Sequence, residues 1–488
     1  MVDSTSLRKC EVLIALLGKD KVLLPGSAGY DASIASYFSP QAAAVHPACF
    51  VTPQSVADVS AVVKSLASAN GSQSGQFAVR GGGHTWFADA NSAPGGITID
   101  LRGLNSVDLS ADQSTISLGG GATWDAVYEK LDPLGLSVAG GRVSGVGVGG
   151  LTLGGGISYF GPREGWTCNQ VTSFEVVLAD GSVVQATSEK NADLWWGLRG
   201  GSHNFGIVTR MTLPTFEQGL LWYSMTLNPL SEVDNQARIY GGLMAAENYD
   251  VNASFLTGWA YVGAQNLSVT LNQLIYTRPV GNDTPAVFQP VLDLPAISYS
   301  STSSTVIGTA LTLANNSAAI QLPQAARYMT ATSTFVPTEA MIRATYEAFQ
   351  ASLPLLQNVT GIMWAVNIEP LPPQLYTRNG ADTNAFGLDN DGGSLAVFLI
   401  SPSWSDGAQD EIVYGAARSL LADIEARAKA LGVFHPYIYL NYAAPWQDPI
   451  ASYGEASVAK LRALRKRVDP KEVFTRKLAG GFKIPEAA

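Results

Sequence analysis

A chain of 488 residues is too long for one hydrophobic core and predicts two or three domains; 46% hydrophobic against 14% charged residues marks it as globular with ample core. The net charge of -10 argues against nucleic acid and anionic membranes as partners, because a phosphate surface would be repelled rather than neutralised. No run of about 18 apolar residues is present to span a membrane, and the four histidines (His46, His84, His203, His435) lack the spacing of a metal site, so none is predicted.

The start, Met1-Val2-Asp3-Ser4, has no apolar signal core and reads as the mature end of a trimmed secretory precursor. Six Asn-X-Ser/Thr sequons, at Asn70, Asn252, Asn266, Asn282, Asn315 and Asn358, suit a secreted glycoprotein. Cys10 and Cys49 pair if the compartment is oxidising, leaving Cys168 odd; three unpaired buried thiols are the alternative.

After a Pro-punctuated lead, Ser55 caps a helix whose stripe is Val56, Val59, Val62, Val63 and Leu66. Gln76 to Arg80 and Ile97 to Leu101 read as strands, and between them lies Arg80-Gly81-Gly82-Gly83-His84-Thr85. Glycines there let backbone N–H groups approach an anion closely, beside one nucleophilic imidazole. By itself the stretch reads as a Gly-rich turn with a locally hydrogen-bonded His. Thr115 to Leu118 is a further strand, and Thr123 caps a short helix through Leu131. Short strands alternating with helices and Gly-rich turns fit an α+β domain rather than a sandwich.

Gly140 to Gly161 is the densest glycine segment. Gly145, Gly147 and Gly150 spell G-x-G-x-x-G, but Leu136 to Ala139 is a poor strand and glycines continue where the helix should run, so a Rossmann site is rejected. The expectation is extended backbone laid along an elongated ligand. Thr172 to Leu178 and Val183 to Ala186 form a hairpin about Asp180-Gly181, and core packing accounts for Trp195 and Trp196.

From about Leu220 the glycines thin out and longer strands appear, among them Phe255 to Tyr261 and Ser268 to Tyr276. Thr338 caps a helix through Leu353, and Asp410 opens a long one with Ile412, Ala416, Leu420, Ile424 and Leu431 in register before Gly432. Gly361 to Glu369 and Ser394 to Ile400 read as antiparallel strands backed by those helices. Pro436 to Tyr442 reads as a Tyr-rich strand and Glu455 to Val468 as a final helix. Trp364, Glu369 and Asp448 are candidates for the pocket lining.

Arg80 to His84, Val143 to Gly150, Leu198 to Thr209 and Tyr439-Leu440-Asn441-Tyr442, in this order and with Asp469-Pro470 near the end, resemble the berberine-bridge-enzyme-like branch of the vanillyl-alcohol-oxidase flavoproteins. The resemblance spans nearly the whole chain; fungal members look closest. It implies a two-part PCMH-type FAD-binding domain over 1–220, a substrate domain with an antiparallel sheet backed by helices over 221–440, and a segment, 441–488, returning to the first domain. It further implies FAD held by Arg80, Gly81, Gly82, Gly83, Thr85, Val143, Ser144, Gly145, Val146, Gly147, Gly149, Gly150, Leu153, Gly154, Gly206, Val208 and Asn441, with His84 covalently joined to the flavin 8α-methyl carbon. Many relatives attach FAD again through a Cys at the position of Val143, so a single bond is expected here. Val146 matches an oxygen-gatekeeper position and favours an oxidase.

Strand alternation would put Tyr439 and Asn441 on one face and Tyr442 on the other; the resemblance implies that the first face is the flavin side and that Tyr442 lies near the substrate. Tyr442 is the expected base, with Tyr439 beside it, if a nearby cation or the developing flavin anion lowers a phenol pKa of ~10. The expected reaction is hydride transfer from an alcohol, phenol or amine-type natural product to FAD, with O2 returning H2O2 and ring closure as a variant. An oligosaccharide oxidase forming a lactone, and a redox-neutral cyclase with structural FAD, are the alternatives.

Overall fold

The computed structural model describes residues 4–68, 76–281, 283–297, 304–321, 326–378, 380, 382–388 and 392–486. The first layer is built from α1 (Ser4–Leu17), β1 (Val22–Leu23), α2 (Ala28–Ala35), β2 (Cys49–Val51), α3 (Val56–Ser68), β3 (Phe77–Arg80) and β4 (Ile97–Asp100). The strands lie in the order β1-β2-β4-β3, with β2, β4 and β3 parallel. Ser55 caps α3 by accepting from the Asp58 amide at 3.2 Å. Val59, Val62, Val63 and Leu66 bury its inner face, about 1.5–3 kcal/mol each. Cys10 of α1 is disulfide-bonded to Cys49 of β2, so the pairing expectation holds, and Cys168 is the free, buried thiol.

A second sheet takes β5 (Val107–Leu109), β6 (Thr115–Gly119), β7 (Ser173–Val177), β8 (Val183–Thr187) and β9 (Ile207–Pro214), in the order β5-β6-β9-β7-β8. Between β6 and β7 run α4 (Trp124–Leu131) and α5 (Val148–Leu153); α6 (Ala192–Leu198) precedes β9. Thr123 stands at the N-cap of α4, but its side chain makes no capping bond, contrary to expectation. The glycine segment also departs from the expected extended course. Val148, Thr152 and Leu153 have a side to bury, and the Val148 amide bonds Ala122 O, so the chain coils into α5 before Gly155 and Gly156 turn it at positive φ.

The third sheet is ten-stranded among the described residues. It contains β10 (Leu221–Asn228), β11 (Ala253–Val262), β12 (Leu267–Tyr276), β13 (Ser304–Gly308), β14 (Ala331–Phe335), β15 (Met363–Leu371), β16 (Leu395–Ile400) and β17 (Phe434–His435). Their order is β13-β10-β12-β11-β15-β16-β14-β17, with two short strands, Arg327–Tyr328 and Ser403–Trp404, off that path. One face is backed by α7 (Val233–Met244), α9 (Glu339–Ser352) and α10 (Asp410–Ala430), while α8 (Ala310–Gln321) crosses to pack on α4.

The expected stripe of α10 drifts. Ile412 and Leu431 are 50% and 45% exposed, and the buried face is Val413, Ala416, Leu420, Ile424 and Ala428. Val413, three residues before Ala416, takes the place of Ile412, and Leu431 is the C-cap beyond the last helical residue. After α11 (Glu455–Val468) the chain returns to the first sheet, where the Ala479 amide bonds Phe77 O at 2.7 Å. No helix among the described residues is long and apolar enough to cross a membrane.

Candidate functional site

Where β3 ends, the chain turns through Gly81-Gly82-Gly83-His84-Thr85. Gly83 has φ +74°, and a Cβ there would stand 2.6 Å from Arg80 Nε. Among the described residues no protein group accepts from the amides of Gly82, Gly83, His84 or Thr85. Successive free N–H groups in a half-buried turn make a concave donor surface suited to a phosphate. Phe38 stacks on the His84 ring, centroids 3.8 Å apart. Burial depresses the imidazole to about 4, so near neutral pH it keeps a nucleophilic lone pair.

Arg80 departs from its expected role. Its guanidinium is turned into α2, donating to Ser33 O at 2.7 Å and Ser36 O at 2.8 Å, and lies 3.8 Å over the Tyr37 ring. It braces the loop from behind, its guanidinium lying against Gly83.

The 142–150 segment meets this loop directly, for a Cβ on Gly82 would sit 2.6 Å from Gly147 N. Gly149 abuts Gly120 O, whereas Gly145, at φ +84°, and Gly150 face open space. Gly154 lies under Asn441, whose Nδ2 donates to Leu151 O at 2.9 Å and to the Tyr439 hydroxyl at 3.1 Å. A Cβ at Gly206 would strike Val177 O at 2.7 Å, and Val208 is buried within β9. Val143, Ser144 and Val146 are half-buried, and the Ser144 amide bonds Ala314 O of α8 at 3.1 Å.

The Tyr439 segment is not a strand. Pairing with β14 stops at His435, Pro436 brings no N–H to extend it, and Leu440–Tyr442 closes a 3-10 turn. Strand alternation therefore does not apply, and the Tyr439 and Tyr442 rings meet edge to face at 4.8 Å. Tyr439 accepts from the Ile157 amide at 3.1 Å as well as from Asn441; burial pushes its phenol up to about 12.

Arg142, which sequence reasoning passed over, is the centre of the cluster. Its Nη2 donates to the Tyr442 hydroxyl at 2.6 Å, and its fork forms an ion pair with Glu369 on β15. Tyr442 donates to Glu369 Oε2 at 3.1 Å. Even positions of β15 (Trp364, Val366, Ile368) fill the core, so alternation turns Glu369 to the opposite face. Burial would depress the Arg142 guanidinium, but Glu369 and Tyr442 more than reverse this and hold it above its ordinary value. Burial pushes Tyr442 well above the ordinary phenol range; Arg142 pulls it down and Glu369 pushes it back up. The expected cation is present, yet the expected lowering is not. A lone charge inside a glycine run was the available signal for Arg142.

Of the other lining candidates, Trp364 is a core residue bonded to Ser352 Oγ at 3.0 Å, and Asp448 is an exposed residue accepting from the Ala451 amide. Burial raises the Cys168 thiol to about 12, which leaves it inert.

A family described as an FAD binding domain matches residues 47–187, which contain the His84 loop and the 142–150 segment. A Diaporthe leptostromiformis protein named oligopeptidase PhomG' is 43% identical over 97% of this chain, which spans 37% of that protein's length. The FAD-dependent monooxygenase CTB5 of Cercospora beticola is 34% identical over 98% of this chain and 92% of its own. The chain belongs to the family of FAD-dependent oxidoreductases that includes CTB5. Among solved structures on this fold, the glucooligosaccharide oxidase of Acremonium strictum, described as carrying 6-S-cysteinyl, 8α-N1-histidyl FAD, superposes with a TM-score of 0.75 at 18% identity, covering 99% of this chain and 100% of that one. At such identity the likeness is one of fold. For an FAD-dependent oxidoreductase the residues present fit the cofactor: free amides for a diphosphate and a neutral imidazole beside them.

Proposed function

We propose that this protein is an oxidase that takes a hydride from a hydroxyl-bearing natural product onto FAD held through one covalent bond, at His84. The free amides of the 82–85 turn carry the reading, because they and the adjoining imidazole suit a phosphate-bearing cofactor open to nucleophilic attachment. FAD bound there supplies a two-electron acceptor that O2 restores with release of H2O2. The amides of Gly82 to Thr85 hold the diphosphate, and Asn441 with Tyr439 props the 151–157 backbone. Tyr442 takes the substrate's hydroxyl proton. Val143 supplies no thiol, so the second bond named for the Acremonium enzyme has no counterpart, which favours this reading over an oligosaccharide oxidase. Val146 leaves the approach of O2 open. We divide the chain at 220 and 440, in keeping with sheet limits at Pro214, Leu221 and His435. The disulfide and the sequons support passage through the secretory pathway.

The test is the intact mass of the purified protein, expected to exceed the chain by one FAD, and by none in His84→Ala. Anaerobic bleaching of the flavin by aromatic alcohols or polyketide-type hydroxyls, followed by H2O2 on admitting air, is the expected activity. Bleaching by sugars alone would establish the oligosaccharide oxidase, oxygen incorporation into product a monooxygenase, and turnover without bleaching a redox-neutral cyclase.

A further inference from the structure

The Arg142, Glu369 and Tyr442 cluster holds one cation against two acidic groups. Arg142 comes from the glycine segment, Glu369 from the third sheet and Tyr442 from the turn after β17, so its only common feature is the contact itself. All three side chains are largely withdrawn from water, and Arg142 is further fixed by its carbonyl, which accepts from the Tyr159 hydroxyl at 2.9 Å. A buried charge is tolerated when matched by one opposite charge and hydrogen-bonded. One guanidinium therefore supports one anion, and of Glu369 and Tyr442 only one is ionised at a time. The carboxylate is the stronger acid and takes that place, leaving the phenol protonated and donating to it.

We infer that Arg142 is a positioning residue for proton abstraction, its guanidinium gripping Glu369 and the Tyr442 hydroxyl together so that the phenol acts as a relay to the carboxylate. The inference rests on Tyr442 as the proton acceptor of the reaction proposed above. In the step, the substrate O–H bond breaks and its proton joins the Tyr442 oxygen, while the Tyr442 proton passes to Glu369 Oε2. The phenol is unchanged, the carboxylate becomes a carboxylic acid, and the negative charge it gives up leaves with the hydride. The hydride leaves the substrate carbon for the flavin, so the substrate loses two electrons and no further co-reactant is needed. Tyr442 never has to exist as free phenolate, which removes the conflict between its burial and its expected role. The groups facing Tyr442 are Arg142, Glu369 and Tyr439; Tyr159 and Tyr249 face the ion pair.

The experiment needs no substrate. Near-ultraviolet tyrosinate absorbance of the FAD-loaded full chain is followed against pH in the wild type, Glu369→Gln, and Glu369→Gln combined with Tyr442→Phe or with Arg142→Gln. Removing the carboxylate leaves Tyr442 as the one anion Arg142 can pair with. In Glu369→Gln one tyrosine is expected to ionise about 1–3 pH units below the ordinary value. Its signal disappears with Tyr442→Phe and with Arg142→Gln. Arg142→Gln alone strands a buried carboxylate and is expected to fold poorly; the double variant removes both charges and avoids this. If Glu369→Gln brings no such ionisation, or the ionisation survives Arg142→Gln, the inference is overturned. Failure of the oxidase reading shows separately, as a wild type whose flavin no hydroxyl compound bleaches.

Discussion

Gly82 and Gly147 lie backbone against backbone: a Cβ on Gly82 would stand 2.6 Å from Gly147 N, and one on Gly147 would stand 2.5 Å from Gly82 N. Neither obstacle is a side chain that can swing away. Gly147→Ala is expected to destabilise the protein by about 1–3 kcal/mol, read in thermal melts, and to lower bound flavin per chain. Gly150→Ala, inside α5 with open space around it, is the control for the melts and should be neutral or slightly stabilising there. Equal effects of the two would show that the close approach is not what the glycines serve.

The disulfide joins residues 39 apart and ties α1 to the parallel sheet behind the His84 loop. Chain-entropy reasoning gives a loss of about 4 kcal/mol for Cys10→Ser with Cys49→Ser. Chemical denaturation of the variant should show it; an unchanged midpoint would mean that α1 is held by its packing alone.

Lys483 Nζ lies 3.4 Å from His203 Nε2 and donates to Phe474 O at 3.0 Å, and both groups have depressed values. Burial brings Lys483 down to about 7, with Asp469 acting the other way, and burial and then Lys483 bring His203 to about 3. In both cases the unfolded chain binds the proton more tightly. The Lys483 contribution to stability is thus complete above about 10.4 and is lost as pH falls toward about 7; that of His203 follows from about 6.5 toward about 3. Lys483→Gln should flatten the melting temperature against pH over the upper interval. Curves that stay parallel to wild type would place the titration elsewhere.

Four sequons fall on described residues, and their surroundings differ. Asn266 and Asn358 are exposed at turns, while Asn252 is buried with its Nδ2 donating to Asp250 at 3.0 Å. Asn315 is exposed but bonded to Ser144 beside the 142–147 segment. Asn70 and Asn282 lie outside the described residues. Peptide mapping of protein secreted from a eukaryotic host should find glycan on Asn266 and Asn358 and none on Asn252. A glycan on Asn252 would contradict its packing.

Local signals were legible where a short stretch satisfies itself. The helices Val56–Ser68 and Glu339–Ser352 start where predicted because Ser55 and Thr338 cap them ahead of an apolar period, and Glu455–Val468 keeps its predicted limits without a side-chain cap. The His84 loop was legible for a similar reason: three glycines in a row state that backbone must come close to something. Coil after Pro436 was misread as strand because tyrosines favour strands, whereas the ladder ends with the missing N–H of proline.

The amino-acid sequence by itself determined which residues could do chemistry: an imidazole among glycines, no thiol at Val143, and tyrosines at 439 and 442. Only the tertiary structure decided how they are used. Arg80 is spent on α2, and Tyr442 is bound to Arg142 across 300 positions of chain and to Glu369 across 73. The physical reason is that burial and charge pairing depend on what the fold brings together from distant segments, and no local period or cap encodes that meeting.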